Sequence, residues 1–250
     1  MIGLSQDSGI ARITLNRPEK RNALNDEMLD ALLGALNRSA SDDSVRVVLI
    51  RGTGQDFCAG MDIAMLSQSA NAGVMEHLAM AQKVAGVFLA MRKHPRPLVA
   101  AVQGRALGGG AGIATGCDLV LAAESAQFGY PEVKIGFMPA IVMSLLRRSV
   151  GEKRAFEILA MGEPFSAVQA REFGVVNHVY PEAGFDMEVE KFVGALASRS
   201  QTAVGLTKRL LYHVDSMSFE AAVEAGIEAN ALSRMTDDAR RGFDRFVKQP

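Results

Sequence analysis

Five glycines fall within the nine residues Gly104-Arg105-Ala106-Leu107-Gly108-Gly109-Gly110-Ala111-Gly112. The apolar run before them, Pro97 to Val102, reads as a buried strand, and Ile113 to Cys117 reads as the start of a helix. Each glycine costs conformational entropy on folding, so this density at a strand-to-helix junction needs a structural reason. An open turn lets a ligand approach backbone N–H groups with no Cβ in the way. A helix N-terminus adds unpaired N–H groups and a positive dipole end. Such a place suits an anion, either a phosphate or an oxyanion that develops during a reaction. Close packing of helix on strand accounts for the same glycines, so the stretch alone leaves both readings open.

At 250 residues the chain can bury a substantial core in one domain, or in a domain with a small appendage. Lys and Arg number 27 against 28 Asp and Glu, a net charge of −1. That balance gives no global electrostatic case for nucleic acid or an anionic membrane. Cys58 and Cys117 stand far apart and outside any paired motif, so a reduced, cytoplasmic protein is expected. Met1 to Ser5 lacks the basic-then-apolar pattern of a signal peptide, and no apolar run is long enough to span a bilayer.

Along the chain, Ile10 to Leu15 alternates as a strand does. Asn25 is a good N-cap, with Asp26 and Glu27 in the favourable first turn. Met28, Leu29, Leu32, Leu33 and Leu36 give the helix that follows one apolar face. Val45 to Ile50 is a β-branched run and reads as a buried strand. It leads into a second small-residue turn, Asp56-Phe57-Cys58-Ala59-Gly60-Met61-Asp62-Ile63. A long helix is expected over 72–93, strands over 98–102 and 118–123, a short extended piece over 126–129, and a loop over 130–139 with prolines at 131 and 139. Short helices follow at 141–149, 153–161 and 167–173, then a short strand over 175–180. Helices over 183–198, 201–213, 217–234 and 236–247 complete the chain. Strand-and-helix units first and helices last predict an α/β fold, with a core over 1–195 and a helical part over 196–250.

Several chemistries fail on spacing. His77, His94, His178 and His213 are scattered and form no metal-ligand pattern. The glycine stretch lacks the Gly-Lys-Ser/Thr ending of a P-loop, and no dinucleotide fingerprint follows the first strand. Cys58 has no nearby base and reads as a packed thiol. The remaining option is two backbone donors plus a carboxylate. The turns at Ala59-Gly60-Met61 and Gly108-Gly109-Gly110 each follow a strand. At the same end of adjacent strands, each would point one N–H at a common oxygen and stabilise a thioester enolate. Glu132, between Pro131 and the apolar segment Val133 to Met138, would be stiffly held and partly desolvated, which raises a carboxyl pKa. A surface loop charge is the competing account of Glu132.

Four ordered motifs then point to a family. They are Leu15-Asn16-Arg17-Pro18 with Asn22-Ala23-Leu24, and Phe57-x-Ala59-Gly60-x-Asp62-Ile63. The third is Gly104-x-Ala106-x-Gly108-Gly109-Gly110 with Cys117-Asp118-Leu119, and the fourth is Phe128-Gly129-x-Pro131-Glu132-x-x-x-Gly136. Together they resemble the enoyl-CoA hydratase/isomerase (crotonase) superfamily. The resemblance implies a crotonase-like spiral of ββα units with a helical C-terminal trimerisation region, assembled as a homotrimer or dimer of trimers. It implies an oxyanion hole made by the N–H groups of Met61 and Gly109. Ala23, Ala59, Asp62 and Ile63 would lie by CoA, and Lys20 or Arg21 would pair with its phosphates. Glu132 matches a catalytic glutamate of the family. The partner is an acyl-CoA thioester, with CoA as part of the substrate and no separate cofactor or metal.

One departure matters. Two-glutamate hydratases carry their first glutamate two residues after the third glycine of the Gly-Gly-Gly run, and here that position is Gly112. With no side chain at Gly112, the place of the missing carboxylate is open to a water or to a branched acyl chain, which makes Gly112 a candidate substrate-binding position. Enoyl-CoA hydratase is the expected activity, with Glu132 as single acid/base. A Δ3,Δ2-enoyl-CoA isomerase and a non-catalytic CoA-thioester-binding protein are the alternatives.

Overall fold

A computed structural model describes residues 1–68 and 71–247. The chain opens with a hairpin, β1 (Ile2–Asp7) paired antiparallel with β2 (Ile10–Leu15). Its two turn residues, Ser8 and Gly9, both have positive φ, as a two-residue hairpin turn requires. Sequence patterning yields only β2, because β1 is an exposed edge strand with no apolar face to read. A 3-10 turn (Pro18–Lys20) precedes α1 (Asp26–Ser41). Asn25 caps α1 by accepting the Met28 N–H at 3.0 Å, and Met28, Leu29, Leu32 and Leu36 are buried on the expected face.

β3 (Val47–Gly52), α2 (Ile63–Gln68), α3 (Val74–Lys93), β4 (Leu98–Val102), β5 (Arg105–Leu107) and α4 (Gly109–Gly116) follow. Next come β6 (Leu119–Ala123), β7 (Gln127–Gly129) and a 3-10 turn (Pro131–Ile135). They lead to α5 (Ala140–Ser149), α6 (Glu152–Met161), β8 (Phe165–Ser166), α7 (Ala167–Phe173), β9 (His178–Tyr180) and α8 (Phe185–Ala197). The chain ends in α9 (Gln201–His213), α10 (Phe219–Arg234) and α11 (Asp237–Val247).

Among the described residues, the main sheet has the order β1-β2-β3-β4-β6-β9, parallel from β2 onward. A smaller sheet, β5-β7-β8, stacks the short strands that follow β4 and β6. Both faces of the main sheet are covered, which is why its central strands read as continuous apolar runs. Val48, Ile50, Ala100, Val102 and Val120 face the larger core with α1, α3 and α4. Val47, Leu49, Val99, Ala101 and Leu121 face Phe185, Val189 and Val193 of α8. The break between α8 and α9 falls at residues 198–200, so α8 belongs to the sheet. An ion pair of low exposure fastens α9 to the core: Lys208 Nζ donates to Asp118 Oδ2 at 2.7 Å.

The glycine stretch differs from its sequence reading. It holds β5, and α4 begins at Gly109 rather than at Ile113, so Gly109, Gly110 and Gly112 lie inside the helix. Packing overrides helix propensity here. A Cβ on Gly110 would run into the Cys58 carbonyl and stand 2.7 Å from Cys58 Cβ.

Candidate active site

β3 and β4 are parallel neighbours, so the turns that follow them open at the same end of the sheet. Beyond the strands the two chains stay paired, with Cys58 N–H donating to Arg105 O at 3.0 Å and Leu107 N–H to Cys58 O at 2.9 Å. Asp56 reinforces this with a bidentate pair to the Arg105 guanidinium at 2.9 Å on each oxygen. Gly60 and Gly109 meet as a result. A Cβ on Gly60 would lie 3.7 Å from the Gly109 nitrogen, and Gly60 takes a φ of +100° that favours glycine.

The residue 20–24 segment runs along the other side of the Gly60 turn. Ala59 N–H donates to Arg21 O at 2.9 Å, Leu24 N–H to Gly60 O at 2.8 Å, and Asp62 N–H to Leu24 O at 2.9 Å. In this parallel bridge Gly60 and Asp62 make the bonds, so the Met61 N–H is directed away from Leu24. Gly109 is the first residue of α4, whose opening N–H groups have no intrahelical acceptor. Met61 and Gly109 are neighbours, since a Cβ on Gly109 would stand 3.6 Å from Met61 Sδ.

Glu132 lies over the same point. Gly108 N–H donates to Gly129 O at 2.8 Å, which brings the chain after β7 back across the glycine turn. Tyr130 is buried, and its hydroxyl lies 2.8 Å from Thr115 Oγ1 on α4. Pro131 opens the 3-10 turn, and the Phe137 N–H closes onto the Glu132 carbonyl at 3.0 Å. Glu132 Oε1 stands 3.1 Å from where a Gly108 Cβ would be, a tight approach, and the φ of +51° at 108 favours glycine there. Among the described residues Glu132 Oε2 is buried with no hydrogen-bond partner. Burial pushes the Glu132 carboxyl above its ordinary range. Two adjacent turns that present backbone N–H groups, with a desolvated carboxylate beside them, are an arrangement that can hold an oxyanion and move a proton.

The other predicted residues divide. Ala23 and Ala59 are half-buried along the Leu24–Gly60 pairing, and Lys20, Arg21 and Ile63 are exposed at its rim. Asp62 is already engaged: Oδ2 accepts from Arg17 Nη1 at 2.6 Å, and Oδ1 accepts the Ala64 N–H at 2.9 Å. The open space expected at Gly112 is absent. A Cβ there would lie 2.5 Å from Val142 Cγ1 and 2.9 Å from Phe88 Cζ. Apolar packing from α3 and α5 fills that direction, with no room for water or an acyl branch. Cys58 is a packed thiol as expected, donating to Asn22 O at 3.1 Å and pushed by burial up to about 12. His94 is a core histidine between Ser39 and Arg96, driven by burial down to about 4. Sequence reading assigns no role to Arg17 or Asn22 beyond motif membership. Asn22 is fully buried at a φ of +57°, and its amide bonds the Thr53 and Asp56 carbonyls.

Residues 5–249 match the enoyl-CoA hydratase/isomerase family. The chain belongs to that family. It is 38% identical to a candidate enoyl-CoA hydratase of Thermus thermophilus over 96% of this chain and 95% of that one. It is 31% identical to the 2,3-dehydroadipyl-CoA hydratase of Escherichia coli over 98% and 95%. The crystal structure of an enoyl-CoA hydratase from Mycobacterium smegmatis superposes with a TM-score of 0.95 at 32% identity, covering 99% and 96% of the two chains. The fold is therefore the crotonase fold, and this member of the family is an acyl-CoA enzyme of the hydratase/isomerase type. Among the described residues no helix is long and apolar enough to cross a membrane, and no group of three His, Cys, Asp or Glu is placed to hold a metal ion.

Proposed function

We propose that the chain adds water across the conjugated double bond of a 2-enoyl-CoA, with Glu132 as its one acid/base. The observation that supports this is the close approach of the Gly60 and Gly109 turns, where a Cβ on Gly60 would lie 3.7 Å from the Gly109 nitrogen, with Glu132 Oε1 3.1 Å from where a Cβ on the adjoining Gly108 would be. Water attacks Cβ and gives its proton to Glu132. The electron pair of the double bond moves through Cα onto the thioester oxygen, which the two N–H groups hold. Glu132 then returns the proton to Cα, leaving a 3-hydroxyacyl-CoA. Each donor to such an oxyanion contributes about 2.7–4 kcal/mol. Lys20 and Arg21 take the CoA phosphates at the rim, and Ala23, Ala59 and Ile63 line the path of the thioester arm. A homotrimer or dimer of trimers is the working assembly.

The packed wall at Gly112 favours a second reading. With no second carboxylate to orient water, Glu132 would instead carry a proton between Cα and Cγ of a 3-enoyl-CoA, using the same oxyanion hole. Absorbance of the conjugated enoyl-thioester band separates the two. Loss of the band from a 2-enoyl-CoA supports hydration. Gain of the band from a 3-enoyl-CoA, without loss from the 2-enoyl-CoA, supports the isomerase. Silence from both substrates, with CoA-ester binding shown separately, overturns both.

A further inference from the structure

The two oxyanion donors are not equally secured. Gly109 is built into α4 and packed between Leu24 and Met61. Met61 sits in a turn, between Gly60 at positive φ and the short helix α2. From the oxyanion reading of these two groups, on which it rests, we infer that Arg17 and Asp62 form a positioning pair that aims the Met61 N–H.

The bonds close a ring around Met61. Arg17 Nη1 donates both to Asp62 Oδ2 at 2.6 Å and to the Ala23 carbonyl at 3.1 Å. Leu24, next along, is bonded to the residues on either side of Met61. Asp62 Oδ1 accepts the Ala64 N–H and so fixes the start of α2. Arg17 is itself anchored, because its N–H donates to buried Asn22 Oδ1 at 2.8 Å and its carbonyl accepts the Asn22 N–H at 2.9 Å. The pair is little exposed, 17% and 15% for the two side chains, so solvent does not loosen it. Charge-assisted bonds from a planar guanidinium fix direction as well as distance. Arg17 chiefly holds the Asp62 carboxyl below its usual range. With each of its oxygens bonded within the ring, Asp62 is held in place to serve the donor.

The test uses Asp62→Asn and Arg17→Lys. In a Glu132→Gln background, where substrate is not consumed, a CoA thioester of an aryl-substituted acrylic acid is bound and its absorbance band followed. Hydrogen bonds to the thioester oxygen move such a band to longer wavelength. The shift is expected with the positioning pair intact, to be mostly lost in Asp62→Asn, and to be partly kept in Arg17→Lys. In the Glu132 enzyme, kcat should fall by up to about 100-fold on misplacement of the donor. KM should move by less than about threefold, since binding outside the reacting centre is untouched. A lowered thermal midpoint with an unchanged band shift and kcat would mean a merely structural pair and would overturn the inference. If Asp62→Asn fails to fold, Arg17→Lys carries the same readouts. Binding without any shift when the pair is intact would sink the oxyanion reading itself, an outcome distinct from a loss confined to the variants.

Discussion

Glu132 gains its chemistry from where it is held. A carboxylate with one buried, unpartnered oxygen is poorly solvated, and the same desolvation that destabilises it makes it a better base. Glu132→Gln keeps the shape and removes the proton carrier. It should lower turnover by about 10²–10⁴-fold while leaving thioester binding nearly intact, measured by steady-state rates and by calorimetric titration with a CoA ester. The acid limb of the kcat profile should lie above the ordinary glutamate value of about 4.3, because the carboxylate is the active form and its pKa is raised. The sign for stability is opposite to that of a paired carboxylate. The unfolded state releases this proton at lower pH than the folded state, so stability is lost as pH rises from the ordinary value to the raised one. Glu132→Gln should therefore melt higher than the parent at neutral pH, by roughly 2–4 °C per kcal/mol relieved, with the difference vanishing in acid. Equal midpoints across the pH range would show that burial imposes no such strain.

Neighbouring elements decide whether a side chain can exist at a given place. Gly112 on α4 faces Val142 of α5 and Phe88 of α3, and a Cβ added there would stand closer to both than normal contact allows. Gly112→Glu should thus fail to create a second acid. It should destabilise the fold by about 1–3 kcal/mol from overpacking alone, read by urea unfolding. Truncating Phe88 to alanine in the same chain should recover part of that loss. The tie between α9 and the core is a second case. Asp118 accepts from Lys208, from the Leu98 N–H at 2.6 Å and from the Tyr212 hydroxyl. Lys208→Met removes the cation and leaves the carboxylate in a little-exposed site. A loss approaching about 3–5 kcal/mol is expected in the same measurement. A loss below about 1 kcal/mol would class the pair with ordinary surface bridges.

At the scale of the molecule, none of the residues of α10 is buried, and Phe219, Val223 and Ile227 recur along one exposed face. An apolar face of that kind is where a homotrimer would form. Sedimentation equilibrium should give three or six copies of the chain, and Ile227→Glu should shift the population to smaller species. A monomer in the parent protein would contradict the proposed assembly.

The sequence by itself determined the elements whose pattern is local or doubly buried. The apolar face of α1, the runs of β3 and β4, and the C-terminal helices are all legible, because period and capping are written in consecutive residues. The Pro131-Glu132 turn and the two glycine turns are legible for the same reason. Edge strand β1 is not, since nothing buries it, and neither is the helical state of Gly109 to Gly112, which close packing on Cys58 imposes against propensity. Only the tertiary structure brings Gly60, Gly109 and Glu132 to one point, because that depends on β3 and β4 being adjacent and parallel. Only it gives Asp62 to Arg17 and closes the space at Gly112 with Phe88 and Val142. Those outcomes rest on contacts between residues 24 to 49 positions apart, a distance at which no local pattern constrains the partner.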